Sequence, residues 1–286
     1  MKRIFSFCIM VLIIPFSLMG QTGKVFDNLL INSSILEMER KYSVYLPPDY
    51  ETSNRSYPVL YLLHGAGDDQ TGWVQFGEVE YIANKAIKEG KSTPMIIVMP
   101  DANTGQRGYF NTLRGDFLYE DFFFQEFIPF IEKTYRIRAE KQYRAVAGLS
   151  MGGGGTIIYA LHHPEMFAAA CPLSASIRLR TGNRNRRSAD TLGPQPTAEQ
   201  LESYVNHHDA IYLVENIPDD QKTQVRWYID CGDDDFLYEG NSLLHIAMRK
   251  KEIPHEYRIR DGAHSWSYWR EALPEVLDFI SQGFHR

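Results

Sequence analysis

Short apolar runs and amphipathic stretches alternate along most of the chain. Residues 42–46 (Tyr-Ser-Val-Tyr-Leu) alternate in polarity and stop at Pro47-Pro48, which predicts an edge or antiparallel strand. Residues 59–63 are apolar throughout and end at His64-Gly65, the pattern of a strand buried on both faces. Val79, Ile82, Ala83, Ala86 and Ile87 then share one helical stripe. Residues 95–99 predict a second buried strand, closed by Pro100, and Phe123, Phe127, Ile128, Ile131 and Tyr135 mark another helix. Next come a strand over 143–147, a glycine-rich turn, a helix over about 151–161 and a strand over 167–173. Order returns later with a strand over 225–230, a helix near 241–251, a strand over 256–259 and a last helix ending near Ile280.

Strands that alternate with helices imply right-handed crossovers and a mostly parallel sheet. The expected fold class is α/β, with a mostly parallel central sheet covered by helices on both faces. Residues 176–222 lose this periodicity and carry Arg, Asn, Pro and Gly, so they read as an insertion or cap over one end of the sheet. The first twenty residues stand apart. Lys2 and Arg3 precede an almost unbroken apolar run over 4–14, Pro15 breaks it, and Leu18-Met19-Gly20 ends in a small residue. That run is too short to span a hydrocarbon core of about 30 Å, so it reads as a signal peptide. The expectation is an exported protein, periplasmic or secreted, with one domain over 21–286 and no membrane span after cleavage.

Composition narrows the function. A chain of 286 residues that is 44% hydrophobic and 23% charged is long enough for a full core and is not disordered. Its net charge is −6, falling to −8 once Lys2 and Arg3 are removed, which argues against a nucleic-acid partner. Cys8 leaves with the leader. The remaining Cys171 and Cys231 cannot build a disulfide framework or an all-cysteine zinc site, and read as buried thiols.

Gly148-Leu149-Ser150-Met151-Gly152 matches G-x-S-x-G between a predicted strand and a predicted helix, the context in which a serine sits on a sharp, exposed turn. Glycines on either side relieve the crowding of such a turn, and Gly153 to Gly155 let the helix approach the sheet. No P-loop lysine follows, so phosphate cradling is disfavoured. Ser150 is the candidate nucleophile, and it needs a base. After the serine, an acid and then a histidine should follow later strands. Asp233, Asp234 and Asp235 come after one such strand and His264 after the next; spacing alone does not choose among the three aspartates. Asp230 lies within its strand, and Asp261 is too near His264 to orient it from a separate loop. The His207-His208-Asp209 run reads as exposed polar loop, not metal ligands, because no third distant ligand is evident. For the oxyanion, one donor should be the Met151 N–H and the second the Ala66 N–H of the His64-Gly65-Ala66-Gly67 loop, with His64 itself structural.

These stretches, with Tyr42-Ser43-Val44-Tyr45-Leu46-Pro47, Asp230-Cys231-Gly232 and Gly262-Ala263-His264, resemble the esterase D/antigen 85-like branch of the α/β-hydrolases. The nearest look is that of feruloyl and acetyl-xylan esterases of carbohydrate esterase family 1. That resemblance implies an α/β-hydrolase fold and selects Asp235 as the acid and His264 as the base. It also implies a serine carboxylesterase of feruloyl or acetyl esters on plant-type glycans, working without metal or organic cofactor. Acyl transfer to a sugar acceptor, hydrolysis of another small ester such as a trilactone siderophore, and a non-catalytic binding module are the alternatives. Trp73, Tyr109, Phe110, Trp266 and Trp269 are candidates to stack on sugar or phenolic rings. Arg178, Arg180, Arg184, Arg186 and Arg187 read first as a solvated loop, and otherwise as a grip on an acidic glycan.

Overall fold

The computed structural model describes residues 21–102, 108–177 and 196–284; the predicted leader and the arginines of 178–187 lie outside the described residues. Its centre is a sheet of β1 (Lys24–Ser33), β2 (Met38–Leu46), β3 (Val59–Leu63), β4 (Ile96–Pro100), β5 (Arg144–Leu149), β6 (Ala169–Leu173), β7 (Arg226–Gly232) and β8 (His255–Arg260). They lie in the order β1-β2-β4-β3-β5-β6-β7-β8. β2 is antiparallel to both β1 and β4, and all other pairs are parallel. The alternating 42–46 segment is therefore an antiparallel strand, second from the edge. β1, which covers it, is absent from the sequence reading. Its register shifts between Phe26 and Leu29, where Asn28 takes a left-handed φ of 54°, and this bulge breaks the alternation a strand would show.

Helices follow as α1 (Gly72–Gln75), α2 (Val79–Lys88), α3 (Tyr119–Asp121), α4 (Ile128–Thr134), α5 (Met151–His162), α6 (Ala198–His207), α7 (Ala210–Glu215), α8 (Tyr238–Lys250) and α9 (Trp266–Phe284). A π-helical turn over Phe122–Phe127 joins α3 to α4. The sheet separates two apolar layers. Val59, Tyr61 and Leu63 of β3 face a layer with Phe123, Phe127, Ile157 and Leu244. Leu60 and Leu62 face the other, with Ile82, Leu273, Val276 and Ile280 of α2 and α9. A strand buried on both sides has no polar position to offer, which is why its sequence is an unbroken apolar run.

Residues 196–222, the described end of the 176–222 segment, have more order than their composition suggests. Thr197 and Gln200 form a capping box at the start of α6, and the Asp209 side chain accepts from the N–H groups of Ile211 and Tyr212 to start α7. Ala210 and Val214 are buried in the same apolar layer as Ile157 and Leu244, so α7 belongs to the body of the domain. His207, His208 and Asp209 are not a free loop either. The His207 ring stacks on His162, His208 is half-buried, and Asp209 is a buried cap. Among the described residues no helix is long and apolar enough to cross a membrane.

Candidate active site

The site starts from the turn between β5 and α5. Ser150 sits there at φ 53° and ψ −113°, a conformation an L-residue tolerates only when its surroundings hold it. The Ser150 N–H donates to the Leu173 carbonyl at 2.9 Å, and its own carbonyl accepts from the Ser176 N–H at 2.9 Å, so β6 and its exit clamp the turn. Space forces the glycines. A Cβ on Gly148 would lie 2.6 Å from the Gly152 carbonyl oxygen, and one on Gly152 would lie 2.6 Å from the carbonyl oxygens of Leu63 and His64. Gly152 thus lets α5 rest directly on the end of β3.

A continuous hydrogen-bond chain leaves the Ser150 hydroxyl. Its Oγ is 3.0 Å from His264 Nε2, and His264 Nδ1 lies 2.8 Å from Asp235 Oδ2 and 3.0 Å from Oδ1. Asp235 accepts from the imidazole, so Nδ1 carries the hydrogen and Nε2 is free to accept from serine. Asp235 is fully buried in the turn after β7, while Asp233 and Asp234 are exposed. Burial alone would raise the Asp235 carboxyl, but hydrogen bonds from His264, the Leu237 N–H and Ser174 outweigh it and hold the group below its ordinary value. Asp233 acts elsewhere. Its Oδ1 accepts from the Gly262 N–H at 3.0 Å, tying this turn to the loop that carries His264. Asp230, inside β7, is enclosed by Arg260 at 2.5 Å, by the Tyr228 hydroxyl at 2.9 Å and by the Tyr268 hydroxyl.

The loop after β3 comes up against the serine. A Cβ built on Gly65 would stand 3.6 Å from Ser150 Cβ, and Ala66 next to it is exposed. Met151 is the first residue of α5, where an N–H has no acceptor inside the helix. His64 is buried and spends both ring nitrogens on backbone groups, Nδ1 on the Gly65 carbonyl at 2.8 Å and Nε2 on the Ala102 N–H at 2.9 Å. Nε2 must accept from an N–H, so the ring is neutral, and burial holds its pKa below the ordinary histidine value.

The candidate stacking residues need correction. Trp73 and Tyr109 are each 1% exposed, with the Trp73 indole N–H on the Leu63 carbonyl and the Tyr109 hydroxyl on the His64 carbonyl. Trp269 is 5% exposed; its N–H donates to Ser174 Oγ at 3.0 Å and its ring meets His264 edge-on at 4.9 Å. None of the three keeps a face for a ligand. Trp266 is half-buried and packs edge-to-face with both Trp73 and Trp269, and Phe110 packs on Tyr159 and His208. Two residues at the site stand outside the motifs of the sequence. Ser174, left in a positive φ after β6, supports Asp235 and Trp269, and no pattern in the sequence marks it. Phe236 is 72% exposed with its ring 4.5 Å from that of His264, and its place next to Asp235 was the available signal. Cys171 and Cys231, on adjacent strands, are buried free thiols, and burial pushes that of Cys231 up to about 12.

A mostly parallel eight-stranded sheet with helices on both faces and a serine at the elbow after its fifth strand defines an α/β-hydrolase fold. The family model described as "Putative esterase" matches residues 33–280, and the chain belongs to that family. An esterase of Mycobacterium tuberculosis is 41% identical over 254 residues, which cover 78% of this chain and 52% of that protein. An endo-1,4-beta-xylanase/feruloyl esterase of Xylanibacter ruminicola is 39% identical over 246 residues, covering 83% of this chain and 29% of the relative. A solved ferulic acid esterase superposes with a TM-score of 0.81 at 36% identity, over 92% of this chain and 99% of that one. The chain thus spans about half, or less than a third, of the length of the two curated relatives.

Proposed function

We propose that this chain is a serine carboxylesterase that hydrolyses feruloyl or acetyl esters on plant-type polysaccharides or oligosaccharides. The observation that carries the reading is the unbroken hydrogen-bond chain from Ser150 through His264 to the buried Asp235. Ser150 attacks the ester carbonyl as its proton passes to His264 Nε2, and Asp235 holds the tautomer and stabilises the imidazolium. The Ala66 and Met151 N–H groups receive the developing oxyanion. His264 then returns the proton to the leaving alcohol oxygen, and water, activated by the same imidazole, cleaves the acyl-Ser150 ester. Each proton movement uses groups of this chain. The glycan assignment draws support from the names of the relatives and from the resemblance of the whole site to family 1 carbohydrate esterases.

The test compares wild type with Ser150→Ala on p-nitrophenyl acetate, methyl ferulate, acetylated xylan and a short-chain triglyceride. Activity on the first three that disappears in the variant is the expected result. A wild type no faster than Ser150→Ala removes the enzyme assignment, and equal rates on the triglyceride and the carbohydrate esters remove the substrate assignment. The apolar run over 4–14 behind Lys2 and Arg3 supports export of this enzyme. Protein recovered from the periplasm or medium with its amino terminus near Gln21 is the outcome expected.

A further inference from the structure

Phe236 is the most exposed large hydrophobic side chain at this site, and the turn that presents it is the turn that positions the acid. The Asp235 N–H donates to the Gly232 carbonyl, the Leu237 N–H to Asp235 Oδ1 at 2.8 Å, and the Tyr238 N–H to the Asp235 carbonyl at 2.9 Å. The backbone on either side of Phe236 is therefore fixed. Its ring lies 4.5 Å from the His264 ring at an interplanar angle of 52°. On its other contact His264 meets the buried Trp269 edge-on. The base thus has one aromatic neighbour that water does not reach and one that stands 72% in water. Leaving that much phenyl surface wet forgoes hydrophobic stabilisation, and holding the imidazole needs only Asp235 and Trp269. A wet aromatic on a fixed backbone beside the base can offer ring surface to a ligand.

The chemistry says which part of the substrate reaches it. His264 Nε2 must deliver its proton to the oxygen that leaves, and that oxygen stays bonded to the alcohol half of the ester. The alcohol half therefore lies on the His264 side of the tetrahedral centre, and the acyl group remains on Ser150. We infer that Phe236 is a specificity-determining platform on which the sugar ring of the leaving alcohol stacks, resting on the carbohydrate-esterase reading above. A pyranose or furanose ring presents an apolar face of C–H groups that suits a phenyl face, while a methyl alcohol is too small to use it.

The experiment holds the acyl group constant and changes the alcohol. Feruloyl-arabinose and methyl ferulate are compared on wild type, Phe236→Ala and Phe236→Trp. The expected result for Phe236→Ala is a fall of about three- to tenfold in kcat/KM on feruloyl-arabinose, mostly through KM, with methyl ferulate within about twofold. Phe236→Trp restores the sugar ester, and the pH–rate profile on methyl ferulate stays in place for both variants. An equal loss on both esters, or a displaced pH profile, overturns the platform and makes Phe236 a support for His264. No loss on either ester overturns it as well. A wild type that cleaves methyl ferulate but no sugar ester overturns the carbohydrate reading together with the platform, a pattern distinct from the other two.

Discussion

Asp235→Asn exchanges a carboxylate for an amide of the same shape, and the hydrogen bonds around it dictate which way that amide must lie. Oδ1 accepts from the Leu237 N–H at 2.8 Å, so the carbonyl oxygen of the asparagine stays there. The NH2 group then occupies the place of Oδ2, 2.8 Å from His264 Nδ1, and the ring keeps only the longer 3.0 Å approach to an Oδ1 already engaged by the Leu237 N–H. Two donors cannot face each other at that distance. The imidazole escapes by moving its hydrogen to Nε2, and the Nε2 that faced Ser150 Oγ at 3.0 Å can then no longer accept the serine proton. The substitution also removes the negative charge that, in the proposed mechanism, stabilises the imidazolium. Together these effects should lower kcat by about 10³ to 10⁴-fold, roughly 4–5.5 kcal/mol of barrier, with folding preserved because the shape and the Leu237 contact survive.

The assay is kcat on p-nitrophenyl acetate near pH 7.5, with Asp234→Asn and Asp233→Asn as controls. Both neighbours are exposed, and an asparagine at 233 can still accept from the Gly262 N–H, so each control should stay within about threefold of wild type. A folded Asp235→Asn enzyme that keeps more than about a tenth of the wild-type kcat would refute the tautomer argument. So would an Asp234→Asn loss of the same size.

Three further outcomes follow from the same geometry. Gly152→Ala puts a methyl 2.6 Å from two backbone carbonyl oxygens, so β3 and α5 must separate; we expect a melting temperature lowered by an overpacking cost of about 1–3 kcal/mol and a kcat reduced at least about 100-fold, read by thermal melts and steady-state kinetics. Trp73→Phe should cost about 1–3 kcal/mol of stability through the lost bond to the Leu63 carbonyl and the void left behind, with KM for methyl ferulate within about twofold; a large rise in KM without destabilisation would return Trp73 to the substrate site. Burial holds His64 and His208 below the ordinary histidine value, His208 at about 4, so the folded protein binds fewer protons than the unfolded chain once pH drops below about 6.5. Stability should then fall between pH 7.5 and 5.5, above the range where carboxyl groups titrate, and His208→Asn should flatten that slope in melts across the interval.

What the chain discloses in advance follows physical rules. β3 is readable because burial on both faces leaves it no polar position, and the Ser150 elbow because a Cβ at Gly148 or Gly152 would collide with backbone. β1 is hidden by its bulge at Asn28, and α7 by its length, since six residues give too few turns for a helical stripe to repeat. The aromatics mislead for another reason. Trp73, Tyr109 and Trp269 look like ligand surfaces from their places near the motifs, but each has a polar atom that satisfies a buried partner, and composition carries no information about which way a ring turns. Adjacent aspartates pose the same difficulty on a finer scale: Asp233, Asp234 and Asp235 differ only in the direction the turn after β7 gives each of them.

The strand order places Asp235, the proposed acid, two strands away from the serine. From β3 to β8 the sheet runs β3-β5-β6-β7-β8, and the loops at the carboxyl ends of these strands carry Gly65-Ala66, Ser150, Ser174, Asp235 and His264 in turn. Neighbouring strands lie about 4.8 Å apart, so the ends of β5 and β7 are separated by roughly 10 Å. Between Ser150 Oγ and Asp235 Oδ2 lie hydrogen bonds of 3.0 and 2.8 Å. With an imidazole roughly 2 Å across between its nitrogens, that relay is about 8 Å long, which matches two strand spacings once the side chains lean together. An acid at the end of β6 would start only one spacing from the serine, and its loop would have to carry it further out to leave room for the ring. Ser174 occupies that intermediate place instead, a small hydroxyl under the relay that helps hold the Asp235 charge and takes the Trp269 N–H. Asp230 is on the correct strand, but its carboxylate is spent on Arg260, Tyr228 and Tyr268 within the sheet, out of line with the loop ends. The spacing of the sheet thus sets the span of the relay, and the turn after β7 selects which of its aspartates completes it.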